Sequence, residues 1–310
     1  MENRIGIESI SFSNNAHSLR EEKTRVGLEM LSVVIPALNS ASTISSTLSS
    51  IFSNEFSREL FEVLVVDNGS SDGTVEVAER FPVRVEHCAE RGRGPPKNLG
   101  IRMAKGEIVC LTDSDCVVEK DWLRNIWRFF EQNPDADGVG GPVLPYPRSQ
   151  NKIQKLTGEI FLEDHGYPNR VKKVQFGSMS GMIFASNSAF RKNVVTSAGS
   201  YSVRGSNLEL AWRLASLGRN LFFDPEIRVS HIFQSNLKDI FRQQFRWGAQ
   251  STQIRRMYHL DKGAKEIIFI SHFLVRRFLS LAFPRDLEKK YLRFTQFASY
   301  GLGRFYGLRS

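Results

Sequence analysis

The sequence has few of the features that identify secreted, disulfide-rich or membrane-spanning proteins. Its three cysteines among 310 residues, Cys88, Cys110 and Cys116, are odd in number and lack CxxC spacing, which argues against a disulfide framework or a structural zinc site. The first 29 residues are polar and contain no apolar core of a signal peptide. The most apolar later stretch, residues 267–283, carries two arginines and a histidine near its middle, so we do not expect it to span a bilayer. A cytoplasmic location is therefore expected.

Acidic residues are scarce in the last quarter of the chain. From Ser235 to Ser310 there are 15 Lys and Arg against five Asp and Glu, whereas the preceding residues carry 27 against 28. The formal charge of +9 therefore belongs to the C-terminal section. A basic surface of this kind can meet nucleic acid, an anionic membrane or a phosphorylated substrate, and composition alone leaves all three open.

Short apolar runs rich in β-branched residues alternate with segments of helical periodicity. Strands are predicted at 31–36, 61–67, 83–87 and 106–115. Between the first two strands, residues 41–52 have helical spacing, with Asn39 or Ser40 as the expected N-cap. Strand, helix and strand in this order are typical of a doubly wound α/β domain.

Polar loops follow three of these strands, with the sequences PALN, DNGSSDG and TDSD. In an open α/β sheet, ligands bind beyond the carboxyl ends of the strands, so the three loops are expected to border one cleft. Asp113 and Asp115 flank Ser114, and two carboxylates one residue apart can share Mg²⁺ or Mn²⁺ with substrate phosphates. Aspartates are also common in surface turns, so the DxD by itself leaves both interpretations open.

Several motifs together resemble family 2 glycosyltransferases, whose fold is called GT-A. They occur in order between about residues 31 and 250, and they are SVVIPALN, EVLVVDNGSSDGT, GRGPPKNLGIRMAKGEIVCLTDSDCVVEKDWL, GSMSGMIFASNSAF and LELAWRLASLGRNLFFDPEIRVSH. The resemblance implies a Rossmann-like α/β fold with a mixed sheet flanked by helices and a helical C-terminal extension. It also implies an inverting transfer of a sugar from a nucleotide sugar, expected to be a UDP-sugar, to a saccharide or lipid-linked acceptor.

The resemblance further implies roles for individual residues of the donor site. In the family, the first strand end and the Asp of the second strand hold the base and ribose, and the DxD lies near the ribose and the metal-bridged diphosphate. The residues at the matching positions are Pro36, Ala37, Asn39, Asp67, Asp113, Ser114 and Asp115. His231, in VSH, matches a metal or diphosphate contact of some relatives, with Mg²⁺ or Mn²⁺ as the metal. Lys97 stands where relatives often have Arg beside the diphosphate. If the family resemblance is set aside, His231 is interpreted as a histidine at the end of a strand and Lys97 as a solvated lysine on a helix.

The segment QQFRW at 243–247 matches the QxxRW pattern of many polymer-forming relatives. In them the Trp and Arg contact the acceptor sugar and the diphosphate, which here would be Trp247 and Arg246, together with Gln243. An indole suits the apolar face of a pyranose, and a guanidinium suits phosphate oxygens. A helix that packs its aromatic residues against the domain is the alternative.

The chain lacks the acidic pair that the family carries before LELAWRL. Ser206 and Asn207 occupy those positions, and in relatives the Asp that matches Asn207 takes the proton of the acceptor hydroxyl. A positioned base contributes about 10² to 10⁴ in rate, and an amide cannot accept that proton at neutral pH. Glu209 is displaced from Asn207 by about 200° around a helix, so we expect it to form a surface pair with Arg213 instead.

Three interpretations of this departure follow. The acceptor is already anionic, as a lipid phosphate is, and needs no base; or a base comes from elsewhere, for example Glu163 or Asp164; or the protein binds a nucleotide sugar without turnover, by natural or introduced loss of the base. The retained DxD argues that donor binding persists in each case.

We divide the chain into a mobile leader at 1–29, a GT-A domain at 30–234 and a basic, amphipathic helical section at 235–310. Within the last part, residues 264–307 interleave apolar and basic residues, which predicts peripheral contact with the inner face of the membrane. Helices packed on the domain with an exposed basic face are the alternative. A nucleic-acid partner is not expected, because no nucleic-acid motif is present and the DxD would have no role.

Overall fold

The computed structural model of the chain describes residues 28, 30–148, 151–175, 186–202, 207–258 and 287–309. Its strands are β1 (Leu31–Ala37), β2 (Phe61–Asp67), β3 (Arg84–His87), β4 (Ile108–Leu111), β5 (Cys116–Val118), β6 (Gly138–Gly140), β7 (Val143–Pro145), β8 (Lys172–Lys173), β9 (Ser188–Arg191), β10 (Leu221–Phe223) and β11 (Val229–His231). Its helices are α1 (Ile44–Phe52), α2 (Thr74–Ala78), α3 (Gly94–Met103), α4 (Trp122–Gln132), α5 (Lys152–His165), α6 (Lys192–Ser197), α7 (Asn207–Ser216), α8 (Leu237–Met257) and α9 (Leu287–Arg309).

An eight-stranded mixed sheet forms the centre of the fold, in the order β3-β2-β1-β4-β9-β6-β10-β8. The first four of these strands are parallel, and β9 runs antiparallel to both β4 and β6. A second sheet, β5-β11-β7, begins five residues after β4 ends, so it lies at the carboxyl end of the parallel strands. The predicted α/β architecture with a mixed sheet flanked by helices is confirmed.

The parallel strands are buried on both faces, which explains their uninterrupted apolar sequences. Val33 and Ile35 of β1 join the core cluster that contains residues of α1 and α4, whereas Val34 joins the cluster that contains residues of α3, α6 and α7. Successive side chains of a strand point to opposite faces, so one strand contributes to both clusters. The predicted strands are confirmed, although the one placed within 106–115 ends at Leu111, before the polar turn.

The predicted cap of the first helix is wrong. The helix begins at Ile44 with Thr43 at the N-cap position, and no side chain caps it. The backbone N–H groups of Asn39 and Ser40 donate to Ser70 Oγ and Thr74 Oγ1, at 2.9 and 2.7 Å. These backbone contacts therefore join the loop after β1 to the loop after β2 and to the first residue of α2.

The two C-terminal helices α8 and α9 pack at very short range because glycines line their contact. A Cβ atom on Gly248 would lie 2.0 Å from the carbonyl oxygen of Tyr300, and one on Gly303 would lie 1.9 Å from that of Phe245. The helix predicted at 286–307 is confirmed as α9, whereas residues 264–283 lie outside the described residues.

The leader predicted at 1–29 also lies outside the described residues, except Leu28, which packs against the core. The domain boundary placed after residue 234 stays a prediction. Within the ranges that the structure describes, no helix combines the length and the apolar character needed to cross a membrane.

Candidate functional site

Three polar loops meet at the carboxyl edge of the parallel strands and are joined by hydrogen bonds. Asn39, after β1, accepts on its Oδ1 atom from the backbone N–H of Ser71, after β2, at 2.9 Å. The hydroxyls of Ser40 and Ser114 share a buried hydrogen bond of 2.7 Å, which ties the loop after β1 to the loop after β4. The three loops therefore lie together, as predicted, and the cleft between them stays a prediction.

Asp67 closes β2 with a buried, oriented carboxylate. The residue is 4% exposed, and its Oδ2 atom accepts the backbone N–H groups of Gly69 and Ser70 at 3.1 and 3.2 Å. Pro36 and Ala37, which end β1, pair in register with Val66 and Asp67. The predicted residues of the first and second strand ends thus lie side by side.

The DSD turn after β4 is held by the backbone on both sides. The N–H of Cys116 donates to the carbonyl of Asp113 at 3.1 Å, and the N–H of Ile232 donates to the carbonyl of Asp115 at 2.9 Å. Ser114 is buried, whereas both aspartates are only partly buried. The turn therefore presents two partly accessible carboxylates at fixed positions.

Asp115 and His231 form a close pair although 115 residues separate them in the chain. His231 Nε2 lies 3.3 Å from Asp115 Oδ1, because β11 pairs with β5 and places His231 opposite Cys116. Burial acts to lower the pKa of His231, but the Asp115 carboxylate outweighs it and raises that pKa above its ordinary value. Burial likewise acts to raise the pKa of Asp115, and His231 holds it below its ordinary value.

The ligand atoms of Asp115, Cys116 and His231 lie within 4.8 Å of one another. A carboxylate, a thiol and an imidazole at this spacing are able to bind a divalent cation together. Asp113 belongs to the same turn, and its charge also acts to raise the pKa of His231. The predicted metal residues therefore lie together, with Cys116 as a neighbour that the sequence did not single out.

Lys97 lies inside the protein, in the first turn of α3. The residue is 6% exposed, and burial lowers the pKa of its ammonium to about 8, against the opposing effect of Asp113. Its Nζ atom lies 4.9 Å from the ring centre of Tyr201. The alternative of a solvated lysine is wrong because α3 packs closely on β1: a Cβ atom on Gly100 would lie 2.2 Å from Val34 Cγ1.

Arg93, the residue before α3, belongs to the electrostatic environment of the site and was not predicted. Its side chain is exposed, and its positive charge acts to lower the pKa values of Lys97, Asp115 and Arg246. The sequence signal that was overlooked is a second cation in GRGPPKN, directly before a helix that begins with proline. Arg93 therefore links the charges of α3, the DSD turn and α8.

The QxxRW residues lie on α8, and only the arginine borders a groove. Burial, followed by Arg93 and Arg242, lowers the pKa of Arg246. Gln243 and Trp247 are partly buried. The groove has a volume of about 450 Å³ and is lined by Gln234, Asp239, Phe241, Arg242, Phe245 and Arg246. Of the three predicted residues, Arg246 thus faces an open space with a neighbouring cation.

The position of the expected base opens α7. Asn207 is the first residue of this helix, its side chain is not among those described, and Ser206 lies outside the described residues. Glu209 Oε1 lies 3.1 Å from Arg213 Nε, so the predicted pair is confirmed. Its expected surface location is wrong, because Glu209 is only 5% exposed and burial raises its pKa.

The residues suggested as a substitute base are held by ion pairs between α5 and α9. Glu163 Oε1 lies 2.7 Å from Lys289 Nζ, and Asp164 Oδ1 lies 3.0 Å from Arg293. The hydrogen bond from Lys289 lowers the pKa of Glu163. These carboxylates therefore join helices, and the structure gives no support to a role in proton transfer.

Comparisons with known proteins identify the family of the chain. Residues 32–196, more than half of the chain, match the model of glycosyl transferase family 2. Glycosyltransferase AglE of Haloferax volcanii is 27% identical over 256 residues, which cover 78% of each chain.

Two solved structures share the fold. Mannosyltransferase PcManGT from Pyrobaculum calidifontis, in complex with GDP-Man and Mn²⁺, superposes with a TM-score of 0.62 at 16% identity, over 91% of this chain and 88% of that one. Residues 1–349 of Staphylococcus aureus TarS, in complex with UDP-GlcNAc, give a TM-score of 0.54 at 15% identity, over 90% of this chain and 92% of that one. The fold is GT-A, as the sequence predicted. The chain belongs to glycosyltransferase family 2 and is an enzyme of that family.

Proposed function

We propose that the chain transfers a sugar, with inversion, from a UDP-sugar to a saccharide or lipid-linked acceptor in glycan biosynthesis. The observation that carries the proposal is the gathering of Asp113, Asp115 and His231 beside the cations Lys97 and Arg93. Carboxylates that bind a divalent cation, next to basic side chains, suit a metal-bridged diphosphate. A shared fold with proteins solved with GDP-Man and with UDP-GlcNAc supports a nucleotide sugar as the donor.

The nucleoside would lie along the ends of β1 and β2, against Pro36, Ala37, Asn39 and Asp67. Two backbone donors occupy part of the Asp67 carboxylate. A carboxylate has about four acceptor sites, so further hydrogen bonds from a base N–H or a ribose hydroxyl fit. Because the carboxylate is oriented in advance, binding would cost little side-chain ordering.

A divalent cation, Mg²⁺ or Mn²⁺, would be held by Asp115 and His231, with Asp113 and Ser114 near the ribose and diphosphate. The donor set fits such an ion, because Asp115 Oδ1 and His231 Nε2 lie 3.3 Å apart and both aspartates are partly accessible. When bound, the cation supplies positive charge at the diphosphate and stabilises the leaving group. The protein itself holds the carboxylates at fixed positions through the backbone contacts of the DSD turn.

Lys97, Arg93 and Arg246 would complete the diphosphate site. Burial is the main cause of the lowered pKa values of Lys97 and Arg246, and repulsion from the charge of Arg93 lowers both further. An anion between them relieves that repulsion and stabilises their charged forms. Gln243 and Trp247 would contact the acceptor from α8.

The acceptor half of the site has Asn207 where the family has a base. We propose that the acceptor is already anionic, such as a lipid phosphate, so that transfer needs no proton acceptor at this position. The groove beside Arg242 and Arg246 offers positive charge for such a group. The second candidate function is nucleotide-sugar binding without turnover, which the amide at Asn207 specifically favours.

Peripheral contact with the inner face of a membrane would bring lipid-linked acceptors to this groove. Leu302, Phe305 and Tyr306 of α9 are 54%, 43% and 59% exposed, and Phe241 of the groove is 40% exposed. Exposed apolar and aromatic side chains beside basic ones suit the headgroup region of an anionic bilayer. The basic section from residue 235 onward would then act as the membrane-facing part of the enzyme.

Calorimetric titration with UDP, with and without Mn²⁺, tests the donor proposal. We expect metal-dependent binding that Asp115→Ala abolishes and that Asp135→Ala, a matched change at an exposed aspartate, leaves intact. If the native protein does not bind UDP either with or without Mn²⁺, the donor proposal is wrong. Salt-dependent binding to RNA or DNA in its place would support a nucleic-acid binder.

Turnover of UDP-sugars by the native protein and by the Asn207→Asp variant tests the acceptor half of the site. Activity toward a lipid phosphate in the native protein supports the anionic acceptor. Activity that appears only in Asn207→Asp supports a binding protein with a disabled base.

A further inference from the structure

A thiol lies beside the proposed donor metal site, and the proposed function gives it no role. Cys116 follows Asp115 and is fully buried. It pairs directly with His231 across the β5–β11 ladder, so the two side chains lie on the same face of that sheet. Its Sγ atom lies 3.9 Å from Asp115 Oδ1, the same oxygen that lies 3.3 Å from His231 Nε2. An oxygen, a sulfur and a nitrogen atom, each able to bind a metal ion, therefore lie close together.

Two of the three separations between these atoms are close to those around a tetrahedral zinc ion. Ordinary zinc bond lengths place a sulfur and an oxygen ligand roughly 3.6 Å apart, and a nitrogen and an oxygen ligand roughly 3.4 Å apart. The observed separations of 3.9 and 3.3 Å differ from these values by a few tenths of an ångström. The sulfur and the nitrogen are at most 4.8 Å apart, up to about 1.2 Å more than a tetrahedral ion requires, so the Cys116 or His231 side chain has to rotate to complete the geometry.

The chemistry of the three ligands favours a different cation from the one that the diphosphate requires. Mg²⁺ and Mn²⁺ prefer oxygen ligands, whereas thiolate and imidazole select zinc and other thiophilic ions. A cysteine in the cluster thus favours zinc without adding to the affinity for Mg²⁺. The trio Asp115, Cys116 and His231 is therefore selective by ligand type.

The other ring nitrogen of His231 has a different environment. The Nδ1 atom of His231 is buried and has no hydrogen-bond partner within the residues that the structure describes. Buried polar atoms are normally paired, but Nδ1 lies on the other side of the ring from Nε2, the nitrogen that approaches Asp115, so it does not itself point into the trio. The ring of Phe233, 4.8 Å away and edge-on, covers the imidazole on its apolar side.

We propose that Asp115, Cys116 and His231 form a Zn²⁺ site whose occupation excludes the Mg²⁺ or Mn²⁺ of the donor complex. Zinc binding converts the Cys116 thiol to a thiolate and releases its proton to solvent. Water or a substrate oxygen fills the fourth position of the tetrahedron. Both ions use Asp115 and His231, so only one binds at a time. The exclusion rests on the proposed function, whereas the zinc site itself does not.

Cobalt spectroscopy on the protein without nucleotide tests the site directly. Co²⁺ replaces zinc and gives a thiolate-to-cobalt charge-transfer band and intense visible bands only when it is tetrahedral and sulfur-ligated. We expect both kinds of band after addition of one equivalent of Co²⁺ per protein. Added zinc should displace the cobalt and abolish these bands. Cys116→Ala should lose the charge-transfer band, whereas Cys88→Ala, a matched change at a buried cysteine outside the trio, should keep it. Absence of the band in the native protein overturns the proposal.

Two further measurements keep the outcome clear. X-ray absorption of the native protein with zinc should show one sulfur at about 2.3 Å, which requires no variant to fold. Equimolar zinc should weaken UDP binding with Mn²⁺ at least tenfold in the native protein and leave it unchanged in Cys116→Ala. A sulfur-ligated cobalt spectrum without any UDP binding would refute the donor proposal and leave the zinc site standing. UDP binding that zinc does not weaken would refute the exclusion.

Discussion

Removing the guanidinium of Arg213 should destabilise the protein strongly, because it leaves a buried carboxylate without its cation. Glu209 is 5% exposed, and the Arg213 side chain is 25% exposed. Arg213 also donates hydrogen bonds to the carbonyl groups of Ala198 and Ser200, which fasten the turn after α6 to α7. Arg213→Met removes all of these contacts while keeping much of the side-chain volume.

Breaking a buried pair by deleting one partner costs about 3–5 kcal/mol. Arg213 keeps some access to water, so we expect the lower end, about 3 kcal/mol of the free energy of unfolding. The assay is equilibrium unfolding of the native protein and the variant in guanidinium chloride at pH 7. An unchanged dependence of the free energy of unfolding on denaturant concentration shows that the same transition is compared in both. A loss below about 1 kcal/mol would refute the reasoning that the pair is buried and mutually dependent.

Two companion variants separate structure from catalysis at the same place. Glu209→Gln keeps an oxygen for Arg213 and should cost about 1.5 kcal/mol, while Glu209→Leu combined with Arg213→Met should cost less than Arg213→Met alone, because no buried charge remains. If Glu209 were the missing base, Glu209→Gln would instead lower turnover about 100-fold or more while the fold stayed intact. Measuring both properties on one variant decides between the two roles.

Lys97 has a pKa of about 8, so raising the pH from 7 to 9 removes its charge, and UDP binding with Mg²⁺ should weaken over that interval. Lys97→Arg keeps the charge and should flatten the calorimetric pH profile; equal slopes would contradict a role at the diphosphate. Gly248→Val drives a side chain into the carbonyl of Tyr300 and should lower the free energy of unfolding by about 1–3 kcal/mol, measured by thermal unfolding. Leu302→Asp should reduce flotation with anionic vesicles, whereas Leu217→Asp, also at an exposed leucine, should not; equal losses would argue against α9 as the membrane contact.

The sequence predicted the elements and the edge of the sheet that bears the site, because both depend on local pattern. The β-branched run of β1 specifies a strand buried on two faces, and strand ends followed by polar turns mark the ligand-binding edge. Asp113 and Asp115 could therefore be located from spacing alone. His231 could not, because its place beside Asp115 depends on the pairing of β11 with β5, and only the family resemblance pointed to it.

The burial of charged residues was the part that sequence reasoning could not supply. Lys97 and Glu209 both fit a solvated helix face by their spacing, yet each is buried. Lys97 is enclosed because Gly100 lets α3 approach β1 closely, and Glu209 because α7 packs against the sheet. Burial of this kind is set by how helices approach the sheet, which no local periodicity encodes.

The donor and acceptor halves of the site come from different parts of the chain, and this separation bears on the absent base. The donor half consists of loops after β1, β2 and β4, which hydrogen bonds such as Ser40 to Ser114 join to one another. Nucleotide affinity and sugar transfer should respond independently to substitution: Asn207→Asp alters transfer at unchanged UDP affinity, and Asp115→Ala removes affinity and transfer together. An amide at Asn207 is thus compatible with an intact donor site. The acceptor must then already be a nucleophile, because no base at this position removes its proton.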